Sequence, residues 1–212
     1  MKLAIKPLVL STASLGLMLG VAENAQAALI PNITASTNMG SAFSTNIANT
    51  VNGAGLPSNT PSLTGSHAAA TVTNAWLGTA LTGNITFNLN GSYSLAGFSF
   101  WNFNGQRAIG IKGVTVQSST NGTTFTTIAG APTQFAIAAT SSAAVNPETF
   151  SFSSPVTASF VRFVVASNWG SINGTGFSEV QFDGTPTPVP EPSSLLALLA
   201  FGLAGVGFRK RI

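Results

Sequence analysis

Bond-making chemistry in this chain would have to come from very few side chains. Its 212 residues include one histidine, His67, and no cysteine. Between the two terminal segments the only acids are Glu148, Glu179 and Asp183, and the only bases Arg107, Lys112 and Arg162. The lack of cysteine removes disulfides, thiolate metal sites and cysteine nucleophiles together. A serine triad would have to use His67, and no Gly-x-Ser-x-Gly elbow is present. Glycoside hydrolysis needs two carboxylates ~5–9.5 Å apart. Glu179 and Asp183, four residues apart on one strand, would stand ~13 Å apart. Transition-metal sites call for several His or Cys ligands. The sequence therefore reads as a protein without an enzymatic centre.

Binding asks for less, because aromatic rings, amides and an arginine suffice to recognise a sugar. Trp101-Asn102-Phe103-Asn104-Gly105-Gln106-Arg107 runs from a predicted strand into a loop, and Asn168-Trp169-Gly170-Ser171 follows another. Loops at the end of a rigid sandwich can carry such groups. The candidate glycan or matrix-polymer site is drawn from Asn102, Asn104, Arg107 and Trp169. The competing reading makes Trp101 and Trp169 packing residues and the amides turn formers. His67, standing alone, reads as a surface or packed residue.

Charged residues make up only 6% of the chain and hydrophobic ones 44%. The net charge of +3 comes from the ends: Lys2 and Lys6 against Glu23, and Arg209, Lys210 and Arg211 against Glu191. The three acids and three bases of the body cancel, so it carries no basic patch of the kind a nucleic-acid binder needs.

The elements that must position these loops are strands. Ile85, Phe87 and Leu89 alternate with polar residues, as do Val114 and Val116, then Val161, Phe163 and Val165, then Val180 and Phe182. Asn90-Gly91, Asn104-Gly105, Asn121-Gly122 and Asn173-Gly174 punctuate them as turn signals. The pattern predicts an all-β antiparallel sandwich over residues 28–184, large enough for its own core. Asn121-Gly122 reads as a hairpin turn. Residues 34–75, rich in Asn, Ser, Thr and Ala, are less legible and are expected to wrap the sandwich with one short strand or helical turn.

Both ends read as addresses. In residues 1–27, Lys2 and Lys6 precede an apolar stretch, and Ala25-Gln26-Ala27 fits a signal-peptide cleavage pattern, with cut after Ala27. An N-terminal anchor is the alternative, although the stretch is short against the ~20 apolar residues of a span. Residues 185–192 form a Pro-rich linker ending in Pro190-Glu191-Pro192. Residues 193–212 then give a hydrophobic helix and a basic end, Arg209-Lys210-Arg211.

That three-part order resembles the PEP-CTERM sorting signal of Gram-negative bacteria. The resemblance implies an exosortase-type membrane protease as partner, transient anchoring in the inner membrane, and delivery to the cell surface or beyond. A permanent C-terminal anchor would need the same apolar segment.

The body carries a second resemblance. Trp76, Ile85–Leu89, Phe100-Trp101-Asn102, Lys112–Val116, Ser119–Phe125, Phe160–Phe163 and Ser178–Phe182 run in the order of a discoidin domain, the coagulation factor V/VIII type C family. This implies the galactose-binding-like jelly roll. It departs from the version often fused to PEP-CTERM tails, where Arg-Gly-Val-Lys-Asp-Val stands in place of Ile109–Val114. The resemblance also implies a structural calcium ion, with Asn52 of the early loop and Glu179 of the last strand at the matching positions. No other cofactor is expected. The function implied is an exported, non-catalytic protein that binds extracellular polysaccharide. A structural surface or matrix protein without a sugar site is the alternative.

Overall fold

Alternation becomes strand where the sequence predicts it. The structure is a computed structural model and describes residues 28–187. The expected signal segment with Ala25 and Ala27 lies outside the described residues, as do Pro190, Glu191, Pro192, Arg209, Lys210 and Arg211 of the tail. Seven strands are formed: β1 (Thr34–Thr37), β2 (Trp76–Leu77), β3 (Gly83–Asn102), β4 (Val114–Ser119), β5 (Thr126–Thr127), β6 (Glu148–Val165) and β7 (Gly176–Pro186). Among the described residues the only helical pieces are three short 3-10 turns.

Two long strands make the sandwich by belonging to both of its layers. The first half of β3 pairs with β1 and with the second half of β6. The second half of β3 pairs with β7 and with the first half of β6. β4 adds to the second half of β6, β5 adds to β4, and β2 adds to β7. All these pairings are antiparallel. The register of β3 on β6 shifts between Asn88 and Tyr93, where both strands turn from one layer into the other.

Bending lays the apolar faces of the two halves on each other. Phe87 and Phe163 of the first layer meet Phe98, Phe100, Phe177 and Phe182 of the second. The ring centroids are 5.2 Å apart for Phe87–Phe182, 5.4 Å for Phe98–Phe163 and 6.1 Å for Phe100–Phe163. Tilted and edge-on pairs of this kind add to the free energy of burial. Ile85, Leu89, Val114, Val116, Val161, Val165 and Val180 fill the same core.

Three local expectations change. Asn90-Gly91 does not turn a hairpin: β3 runs through it, and Asn90, at φ 54°, sits in the bend between layers. β7 extends to Pro186, two residues into the expected linker, because Tyr93 pairs with Pro186. The alternation in β7 does not mark a wet face either. Glu179 and Gln181 are buried like their neighbours, because the segment before β2 covers this side of the second layer. Ser99 Oγ donates to the Leu63 carbonyl at 2.7 Å, and Trp101 Nε1 to that of Gly65 at 2.9 Å. Trp101 thereby packs in a second small cluster with Leu56, Ala138 and Val145. Residues 34–75 wrap the sandwich as expected, using β1 and two 3-10 turns.

Asn121-Gly122 does turn between β4 and β5, with Gly122 at φ +74° and a would-be Cβ 3.1 Å from the Phe160 ring. Gly122→Val should cost about 1–3 kcal/mol through backbone strain. Phe163→Ala should cost about 3–5 kcal/mol. Urea unfolding at constant m-value measures both.

Candidate functional site: the loops carrying Arg107 and Trp169

Both ends of the described chain leave from the same place. Gly184 N–H donates to the Ala28 carbonyl at 2.9 Å, and Thr187 N–H to that of Ser92, beside the bend of β3. At the other end, where β3 begins and finishes, two loops are knitted together. Ile111 bridges Asn168, Trp169 N–H donates to the Gly110 carbonyl at 3.1 Å, and Ser171 N–H to that of Ala108 at 3.1 Å. Arg107 and Trp169 therefore sit on neighbouring loops, as the candidate site requires. Lys112 Nζ lies 4.8 Å from the Trp169 ring centroid, a cation–π contact that brings a second cation to the pair. Both Arg107 and Trp169 are half-buried, and Arg107 Nε and Trp169 Nε1 lack a hydrogen-bond partner among the described residues.

The two asparagines of the candidate site are placed differently. Asn102 is buried, and its amide donates to the carbonyls of Ile111 at 2.8 Å and Ala136 at 2.7 Å, while its oxygen accepts from Phe103 N–H. Asn104 is fully buried. It donates to the Ala68 and Ala143 carbonyls at 2.9 and 2.7 Å and accepts from Ser178 Oγ at 3.1 Å. These side chains are spent on the protein itself. They correct the expectation of ligand-facing amides and hold the loops that carry Arg107. Asn168 does the same for the other loop, donating to Ser171 O, Gly174 O and Thr175 Oγ1. Sequence reasoning missed that role, although an Asn beside a predicted loop aromatic was the available signal.

Asn102 also lines a cavity of about 240 Å³, with Phe100, residues 136–139 and 145–147, and Glu148 at its rim. Glu148 accepts from Ala136 N–H at 2.8 Å, and partial burial raises its pKa. Arg107 and Trp169 do not line this cavity.

The early loop meets Glu179 through its backbone. Gly53 N–H donates to Glu179 Oε1 at 3.1 Å, and Gln181 Nε2 donates to the same oxygen. Gly53 is needed here: φ is +78°, and a Cβ would strike the Thr60–Pro61 peptide. Glu179 Oε2 is buried with no hydrogen-bond partner among the described residues. Asn52 is exposed, and its oxygen accepts from Ala54 N–H at 2.9 Å. Glu179 Oε2 is thus the side-chain atom that fits a cation, while the Asn52 side-chain oxygen already accepts within its own loop. Glu179 does not face solvent. Among the described residues no group of three His, Cys, Asp or Glu side chains is assembled.

Burial raises the Glu179 pKa to about 8, against smaller lowering by Gln181 and Gly53. Without metal, the unfolded chain loses this proton near the ordinary carboxyl value of 4.5 and the folded chain holds it until about 8. Stability should therefore fall as pH rises between those values. Glu179→Gln should remove that slope. His67 acts oppositely: burial lowers its pKa, so folding weakens as pH drops below about 6.5. Thermal melts of both proteins from pH 5 to 9 separate the two contributions.

The comparisons agree with this architecture. The F5/8 type C domain family matches residues 32–179, and the PEP-CTERM protein-sorting motif matches residues 188–211. No curated protein sequence matches the chain. Solved structures with the same fold include CBM32-1 from a family 31 glycoside hydrolase of Clostridium perfringens. It is 14% identical with TM-score 0.52, covering 73% of this chain and 96% of that one. Another is the family 32 CBM of C. perfringens NanJ in complex with galactose, 13% identical with TM-score 0.53, covering 74% and 99%. The strand order, the sandwich and the family match lead to one conclusion: the chain belongs to the F5/8 type C domain family and ends in a PEP-CTERM sorting motif.

Proposed function

We propose that this is an exported, non-catalytic surface module that binds carbohydrate through the loops carrying Arg107 and Trp169. The observation that carries the reading is the joining of those loops, which gathers an arginine, a lysine and an indole at the end away from the termini. The indole supplies an apolar face for sugar C–H groups, and the guanidinium supplies donors for hydroxyls. Asn102, Asn104 and Asn168 fix the loops in advance, which lowers the ordering cost of binding. Ile172, at 86% exposure, stands on the same loop as Trp169 and adds apolar surface to that end. The chain continues into its sorting motif from the opposite end. An exosortase-type protease acting on the Pro190-Glu191-Pro192 segment, during transient inner-membrane anchoring, would leave the loops facing outward.

The reading as a structural spacer has its own support, since two of the four candidate side chains are turned inward. Glycan-array binding separates the two. Arg107→Ala and Trp169→Ala should each weaken glycan binding by about tenfold or more, a loss of roughly 1.4 kcal/mol. Equal binding by both variants, or no glycan bound by the parent protein, overturns the sugar site. Asn102→Ala should instead lower stability by about 1–3 kcal/mol, by leaving buried carbonyls unpaired.

For calcium, the proposal is narrower: Glu179 Oε2 is the side-chain contact, and the early loop supplies backbone oxygens. A bound ion would neutralise the buried carboxylate and tie the wrapping segment to β7. Calcium should raise the melting temperature of the parent protein and leave that of Glu179→Gln unchanged. Equal shifts in both would remove Glu179 from the site.

A further inference from the structure

The outer face of the first layer carries a second constellation, on different residues from the loop site. Register places five polar side chains in one row across five strands. Ser36 of β1 pairs with Thr86 of β3, Thr86 with Arg162 of β6, Arg162 with Gln117 of β4, and Gln117 with Thr127 of β5. Neighbouring strands lie ~4.8 Å apart, so the row runs ~19 Å across the sheet. Its centre is a cation held from two sides. Arg162 Nε donates to Thr86 Oγ1 at 3.2 Å, and its guanidinium carbon stands 3.5 Å from the centroid of the Phe125 ring. That ring comes from the hairpin that Asn121-Gly122 turns.

A groove opens beside the guanidinium, lined by Ser36, Thr37, Asn38, Asn84, Thr86 and Arg162, with a volume of about 270 Å³. Every lining residue is polar, and neither the groove nor the row contains an acid. Arg162 is one of only three cations in the described residues. An ordinary solvated sheet face needs no such arrangement, since a free arginine would keep its rotamer entropy in water. Here the side chain is fixed, its fork is set among hydroxyls and amides, and no carboxylate of the groove or row neutralises it. A planar guanidinium so placed suits a carboxylate or sulfate, while the hydroxyls and amides suit sugar hydroxyls.

We propose that this face is a separate binding surface for an acidic glycan, with Arg162 taking the anionic group and Ser36, Thr86 and Gln117 flanking it. The site is independent of Arg107 and Trp169, so either can exist without the other.

The test uses the described domain as it occurs in the exported full chain. The probes are an oligogalacturonate, a dextran sulfate and a neutral dextran of similar length, measured by calorimetry at two salt concentrations. Binding of the oligogalacturonate or the dextran sulfate but not the neutral dextran, weaker at higher salt, is expected. The two polyanions distinguish carboxylate from sulfate as the anionic group. Arg162→Gln should reduce affinity at least tenfold. Because that change also removes the Phe125 contact, Gln117→Glu and Gln117→Lys serve as variants outside the core. The first should weaken binding and the second strengthen it, with melting temperatures unchanged. Trp169→Ala should leave polyanion binding intact. Failure of both polyanions to bind, equal binding of all three polymers, or indifference to both Gln117 variants overturns the proposal. Loss of binding in Trp169→Ala alone would return the polyanion to the loop site.

Discussion

The aromatic contact between the two halves of β3 and β6 is the interaction on which the other features rest. Phe87 and Phe163 lie in one layer, and Phe98, Phe100 and Phe182 lie in the other. Phe87, Phe98 and Phe100 stand on β3 and Phe163 on β6, with Phe182 joining from β7. The core can form only if β3 and β6 bend, and the register shift after Asn88 is where they do. Once bent, β3 begins and ends at the same end of the sandwich. That brings the loop after Asn102 beside the loop after Val165 and leaves the two ends of the described chain together at the bend.

A chain with so few charges must satisfy its buried polar groups with neutral ones, and asparagine carries most of that task. Asn102 and Asn104 spend their amides on backbone carbonyls of separate loops, and Asn168 on those of its own loop. An amide offers two donors and an acceptor without the desolvation cost of an ion. Such loops keep a defined shape without disulfides or ion pairs. Glu179 is the exception, a carboxyl buried with one oxygen unpaired. Burial favours its protonated form, and its other oxygen ties the early loop to the last strand through Gly53.

A nearly neutral scaffold also makes the positions of its few cations informative. Two of the three stand with Trp169 and its partner loop at the distal end. The third is clamped at the centre of the outer sheet face. The two locations differ in character: one is a loop cluster with an indole and exposed apolar surface, the other a row of hydroxyls and amides on rigid strands.

Much of the fold could be read directly from residues. Period-two alternation at Ile85–Leu89, Val114–Val116 and Val161–Val165 marks strands because a half-buried strand presents alternate side chains to one core. Asn121-Gly122 marks its turn because only such residues accept the backbone angles there at low cost. The scarcity of ionisable groups limits chemistry whatever the fold. What alternation cannot report is what covers the second face of a strand. Glu179 and Gln181 look solvent-facing in sequence, and become buried only because a segment more than a hundred residues away folds over them, as the Gly53–Glu179 contact shows. The inward turn of Asn102 and Asn104 has the same origin, since their partners at Ala136 and Ala143 lie on another loop. The placement of the Arg107 loop beside the Trp169 loop, and of Arg162 between Thr86 and Gln117, likewise depends on pairing between distant segments. Local sequence sets which backbone states are cheap, whereas long-range pairing decides which side chains meet.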